Sequence, residues 1–210
     1  MTTKQKISKA ALFLFNRFGF VNVRLQHIAD EANLSVGNLA YHFKTKDDIL
    51  EHLYEQLVGE QQRLLANLRM IPLFVNLDEH LQHTFQIQQQ YSFFFTDTLE
   101  ILRAYPTIKR KHREHIYWQT IQIQLFLEFN VSRMALLPPQ EPDTLALLAN
   151  RYTMITDSWL SYEVLLGQKA HELTATRLKE LIWSLLSSYF SDMGRSEFQQ
   201  MRSLPFDPLT

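Results

Sequence analysis

Val36, Gly37, Asn38, Tyr41, His42 and Lys46 put a small apolar group, a bare backbone position, an amide, a phenol, an imidazole and an ammonium close together in the chain. An amide such as that of Asn38 can pair bidentately with adenine, and Val36 can rest against a thymine methyl group. Tyr41 and His42 can reach phosphates or bases further along. Lys46, at a helix start, can offer one phosphate both its charge and free backbone N–H groups. Gly37 allows close approach of backbone to a duplex. This chemistry requires a short helix whose outer face is uncrowded.

The neighbouring pattern supplies such a helix and its support. Ser35 is placed as an N-cap before Val36, Leu39, Ala40 and Phe43, whose i, i+3, i+4, i+7 spacing makes one stripe. Upstream, Leu25, Ile28, Ala29 and Ala32 form a two-turn stripe, and Asn33 follows where a chain leaving a helix needs a left-handed residue. Ile7, Ala10, Ala11, Leu14, Phe15 and Phe18 form a longer stripe that Gly19 ends. Thr45 to Asp48 has the form of a capping box with Asp in place of Glu, opening a fourth helix through Ile49, Leu50, Leu53, Leu57, Leu64 and Leu68. Two short helices joined by a tight turn, with a longer one behind, match the helix-turn-helix arrangement, whose second helix lies in the major groove of double-stranded DNA. A small helical hairpin also serves plain packing, so spacing alone leaves both uses open.

The 210 residues suffice for a hydrophobic core. There is no cysteine, hence no disulfide, thiolate metal site or cysteine nucleophile, and a reducing cytoplasm suits the chain. No apolar run approaches the roughly 20 residues of a membrane span, and the N-terminus reads as unprocessed. Net charge is −1, yet residues 1–50 hold seven Lys/Arg against four Asp/Glu, and the remainder holds 14 against 18: a basic head on an acidic body. Five glycines and the absence of a β-rich alternating run predict an all-α fold. Further helices are expected at about 77–95, 97–104, 107–136, 143–167 and 174–200. Pro106, Pro138, Pro139, Pro142 and Gly167 act as punctuation, and a frayed tail runs from Ser203.

Residues 6–50 resemble the DNA-binding domain of TetR-type transcriptional regulators: "AALFLF" and Gly19, "IADEANLS", "VGNL", "YHF", and Lys46 before an acidic helix start. The resemblance implies a helix-turn-helix domain over 1–46 and a larger helical ligand-binding and dimerisation domain over 47–210. It implies base readout by Gln26, Val36, Gly37 and Asn38, and backbone contacts by Arg24, Tyr41, His42 and Lys46. Three positions depart from the family pattern. Arg24 replaces a Thr that caps the second helix, a task that passes to Asn22 in this reading. Asn33 replaces Gly, and Ala40 replaces Tyr, whose role Tyr41 can take.

The body is rich in aromatics, most of which must be core. A cavity among the helices carrying Phe94, Trp118, Tyr152 and Trp159 would suit a small apolar or amphipathic inducer. The helices expected at 143–167 and 174–200 are apolar around much of their circumference, which implies two buried faces, and in TetR-type proteins the final pair forms a four-helix homodimer interface. The pairs His80/His83 and His112/His115 fall short of a metal site, and no cofactor fingerprint or catalytic motif is present. The basic run 109–113 reads as a solvated face. The expectation is a ligand-responsive homodimeric repressor acting on a palindromic operator. Its rival is a helical protein-interaction module that keeps the helix-turn-helix as scaffold.

Overall fold

The computed structural model describes residues 1–138 and 144–203, and among these every regular element is helical. Pro139, Pro142 and the tail beyond Ser203 lie outside the described residues. The helices are α1 (Thr3–Phe18), α2 (Leu25–Glu31), α3 (Val36–His42), α4 (Lys46–Met70), α5 (Phe74–Gln90), α6 (Ser92–Thr96), α7 (Thr98–Ala104), α8 (Pro106–Ser132), α9 (Thr144–Leu165), α10 (Ala175–Ser187) and α11 (Asp192–Ser203). A 3-10 turn spans Ala170–Glu172. None of these helices is long and apolar enough to cross a membrane.

The chain gathers into two compact units. The first holds Met1–Gln61, Ile87–Arg113 and Leu160–His171; the second holds Gln62–Gln86, Glu114–Trp159 and Glu172–Thr210. The helix-turn-helix thus shares a unit with later segments.

In the first unit, the local signals act where the sequence places them. Gly19 ends α1 at φ 77°, Asn33 adopts φ 55°, and Ser35 Oγ accepts from Asn38 N at 3.1 Å. Thr45 and Asp48 exchange side-chain-to-backbone bonds of 2.9 and 3.1 Å, completing the expected capping box. The helix expected over 77–95 is instead broken at Tyr91. Asn16, on α1, donates to Gln90 O at 2.7 Å and accepts from Phe93 N at 3.0 Å, groups a continuous helix would pair internally. Phe94 N then turns back to Tyr91 O at 2.9 Å. The break lets Phe93, Phe94 and Phe95, successive in sequence, all be buried.

In the second unit, the helix expected over 174–200 is two helices. Leu137 N donates to Tyr189 O at 2.7 Å and Ser191 N to Ala135 O at 3.2 Å, so the segment after α8 takes the backbone groups that would have joined α10 to α11. A Cβ on Gly194 would stand 2.0 Å from Ala135 O, which explains the glycine in the first turn of α11. The helix expected to reach 136 stops at Ser132, and Met134 turns the chain at φ 63°. Arg133 holds the corner: its guanidinium forks onto Glu197 at 2.6 and 3.0 Å, and Glu197 Oε1 also accepts Phe74 N, at 2.9 Å, at the start of α5. Phe74, Trp183, Phe190 and Phe198 pack together with ring centroids 4.9 to 6.2 Å apart.

Candidate nucleic-acid interface

α3 is anchored by few side chains and otherwise bare. Leu39 and Phe43 are buried, the second with Lys4 Nζ 5.2 Å above its ring, while Gly37, Asn38, Ala40 and Tyr41 are exposed. Tyr41 is 86% exposed and meets the edge of His42, at 5.2 Å between centroids. A Cβ on Gly37 would find just Ser35 Oγ, 4.0 Å away. Internal packing therefore does not require a glycine there. Ile28 and Ala29 anchor α2, leaving Arg24, Gln26 and His27 outside. Gln26 Nε2 is held to Asp30 Oδ1 at 2.7 Å, which fixes its amide along the outer face of α2.

One expectation for this surface needs correction. Asn22 does not cap α2: its amide donates to Phe18 O at 2.9 Å and closes the end of α1. Arg24 occupies the N-cap with no side-chain cap bond, and its N–H is taken by His27 Nδ1 at 3.2 Å, so the guanidinium stays outside. The ammonium of Lys46 is turned toward backbone carbonyls. Lys46 Nζ donates to Phe20 O and Val23 O, both at 2.9 Å, and lies 4.2 Å from the centre of the Phe20 ring. Burial lowers its pKa, against an opposing pull from Asp47. Lys46 thus ties α4 to the loop between α1 and α2, and the exposed cation at the end of α3 is Lys44.

The remaining supports were invisible in the sequence because they join distant residues. Lys111, in the run expected to be merely solvated, pairs with Glu51 at 2.7 Å and Glu55 at 3.1 Å. Tyr105 donates to Asp47 at 2.8 Å. Both hold the first half of α4, directly after the recognition segment.

A family profile described as "Bacterial regulatory proteins, tetR family" matches residues 7–53, and one described as "Bacterial transcriptional repressor" matches residues 61–198, more than half of the chain. The chain belongs to the TetR family of bacterial transcriptional regulators. Curated relatives include the "Probable HTH-type transcriptional regulator YttP" of Bacillus subtilis, 38% identical over 56 residues, which are 27% of this chain and 27% of the relative. The "Uncharacterized HTH-type transcriptional regulator YerO" of the same organism is 32% identical over 65 residues, 31% of this chain and 22% of the relative. The match thus spans about a quarter of these relatives' lengths. Solved structures carry the likeness through the body. One from Marinobacter aquaeolei VT8 has a TM-score of 0.84 at 22% identity, covering 96% of this chain and 98% of that one. A transcriptional regulator from Saccharomonospora viridis in complex with choline has a TM-score of 0.68 at 20% identity, covering 88% and 95%. At these identities the likeness speaks for the fold alone.

The four aromatics expected to line a pocket divide between the units. Phe94 is in the first, its ring 5.3 Å from Tyr54 and 5.2 Å from His112. The other three are in the second: Trp118 stacks on His115 at 5.8 Å, Trp159 meets Phe85 at 6.0 Å, and Tyr152 is buried with its hydroxyl lacking a partner. Further along α9, burial pushes the carboxyl of Asp157 up to about 7.

Proposed function

We propose that the protein is a sequence-specific DNA-binding repressor that works in the cytoplasm as a homodimer on a palindromic operator and is released by a small ligand. The observation that carries this reading is the bareness of α3: Gly37, Asn38 and Tyr41 are exposed, Val36 and His42 half-buried, and Leu39 and Phe43 buried. In this reading Gln26, Val36, Gly37 and Asn38 read bases, and Arg24, Lys44, Tyr41 and His42 hold the backbone. Lys46 serves by fixing the angle between α4 and the helix-turn-helix. Two recognition helices about 34 to 36 Å apart fit successive major grooves, and a ligand favouring another separation lowers affinity. α4, with residues in both units, is the transmitting element. In this reading an amphipathic inducer belongs to the second unit, where the buried Tyr152 hydroxyl lacks a partner. We assign no catalysis.

Selection of bound duplexes from a random pool tests the reading. An inverted repeat should emerge, with half-sites about one helical turn apart or a multiple of it. Binding to every duplex alike, with a steep salt slope and no winner, would instead favour the interaction module.

A further inference from the structure

The first unit holds a groove of about 470 Å³, none of whose lining residues belongs to the nucleic-acid interface. Phe13 and Arg17, four residues apart on α1, line it together with Ser92 at the start of α6 and His171 of the 3-10 turn. That volume lies in the range of small-molecule sites. The walls are preformed. Asn16 binds Gln90 O and Phe93 N, which fixes α1 against the break between α5 and α6 and so holds the neighbouring Arg17 and Ser92 on one groove.

The lining leaves hydrogen-bond donors unused. The Arg17 guanidinium lies 5.8 Å from the centre of the Phe13 ring and 5.2 Å from that of Phe18, and it makes no hydrogen bond or ion pair among the described residues. Both rings are about half exposed, at 46% and 49%. They steady the cation by cation–π attraction and leave its N–H groups open. The half-buried Ser92 hydroxyl likewise has no hydrogen-bond partner among the described residues. Lys9 extends the stripe of Phe13 and Arg17 at i, i+4, i+8, and no acidic side chain lines the groove, so the local field favours an anion. A guanidinium fork matches a carboxylate, which accepts two parallel N–H bonds, and a serine hydroxyl can donate a third. Inorganic phosphate would use the fork but leave the Phe13 ring in water, whereas an anion that carries its own ring covers both.

We infer that this groove binds a small aromatic carboxylate, its carboxylate on Arg17 and Ser92 and its ring against Phe13. The site is independent of the inducer reading above, which concerns the second unit. Titration of the full chain with phenylacetate, followed by amide chemical shifts, tests it, with phenylethanol, acetate and inorganic phosphate as comparisons. Phenylacetate should bind saturably, with shifts centred on Phe13, Arg17 and Ser92, and about tenfold or more tightly than each comparison. Arg17→Gln should weaken binding by about tenfold or more, and Arg17→Lys, which keeps the charge without the fork, should not restore it. Ser92→Ala and Phe13→Leu should each weaken it by roughly threefold to tenfold. Phe13 and Arg17 are exposed, so circular dichroism should show the helices intact in their variants. Equal binding of phenylethanol, affinity unmoved by Arg17→Gln, or no saturation at about 10 mM phenylacetate overturns the inference. Tighter binding of phosphate than of phenylacetate overturns the aromatic assignment, and shifts confined to the second unit overturn the site.

Discussion

Tyr105 donates its hydroxyl to Asp47 Oδ1 at 2.8 Å, tying the end of α7 to the first turn of α4. Its ring also meets Phe20 edge-on at 5.6 Å, so one side chain touches both the loop after α1 and the helix that follows the recognition segment. Tyr105→Phe keeps the ring and removes the bond. Stability should fall by about 0.5 to 1.5 kcal/mol, read as a lower urea midpoint with unchanged slope. Burial and the Asp47 carboxylate push the phenol up to about 12. Because the folded state holds this proton more tightly than the unfolded chain, the contribution is complete below about pH 10 and disappears as pH rises toward 12.

Lys44 and Lys46 should separate by readout. Lys46→Met deletes two bonds to carbonyls and a cation over Phe20, so it should destabilise the fold by about 1 to 3 kcal/mol. Lys44→Ala should leave the melting temperature within error and lower affinity for all duplexes, with the salt slope reduced by about one. If Lys46→Met melted like wild type but bound DNA weakly, the ammonium would be a phosphate contact after all.

Gly37 and Asn38 should part in the same manner. Gly37→Ala has room for its methyl and improves helix propensity, so stability should be unchanged or rise by up to about 1 kcal/mol. Operator affinity should nevertheless fall, since the methyl meets the duplex. Asn38→Ala keeps the backbone N–H that Ser35 caps, and should cost about 1 to 3 kcal/mol of preference for the selected operator over a scrambled one. Competition binding on the two duplexes checks both.

Burial lowers the pKa of His80 and of His112 to about 4. The unfolded chain binds these protons near pH 6.5, so it takes them up before the folded state does. Stability should be flat above about pH 7 and fall as pH drops from 6.5 toward 4. His112→Phe should flatten part of that fall. A melting series across pH 4 to 8 that is equally steep in both proteins would remove His112 from the account.

The recognition segment was legible because its determinants are local. Ser35, Asn33 and the Thr45/Asp48 pair act within three or four residues of themselves, and the stripes of α1 to α4 need only helical periodicity. The surroundings were not legible for the opposite reason. Lys46 looks like a displayed cation until Phe20 and Val23, 26 and 23 residues earlier, present their carbonyls to it. The break at Tyr91 depends on Asn16, 77 residues from the Phe93 amide it accepts. The segment expected as one helix over 174–200 is two, and the chain passes from α10 into α11 without a proline to mark the change.

Gly194 is the residue on which that unmarked change turns. It sits in the first turn of α11, where a Cβ would stand 2.0 Å from Ala135 O and 3.0 Å from its carbon. Those are backbone atoms, and Ala135 O is also the acceptor for Ser191 N, so neither side can yield without loosening the junction. Gly194→Ala should therefore destabilise the second unit by about 2 kcal/mol or more, despite the better helix propensity of alanine. The damage should stay local. Amide exchange should quicken around Ala135 to Leu137 and Tyr189 to Ser191, while the Ser35 and Thr45 caps of the helix-turn-helix keep their protection. Uniform loss of protection across both units would show that the junction holds up the whole chain, and unchanged exchange at Ser191 would show that the close approach to Ala135 is dispensable.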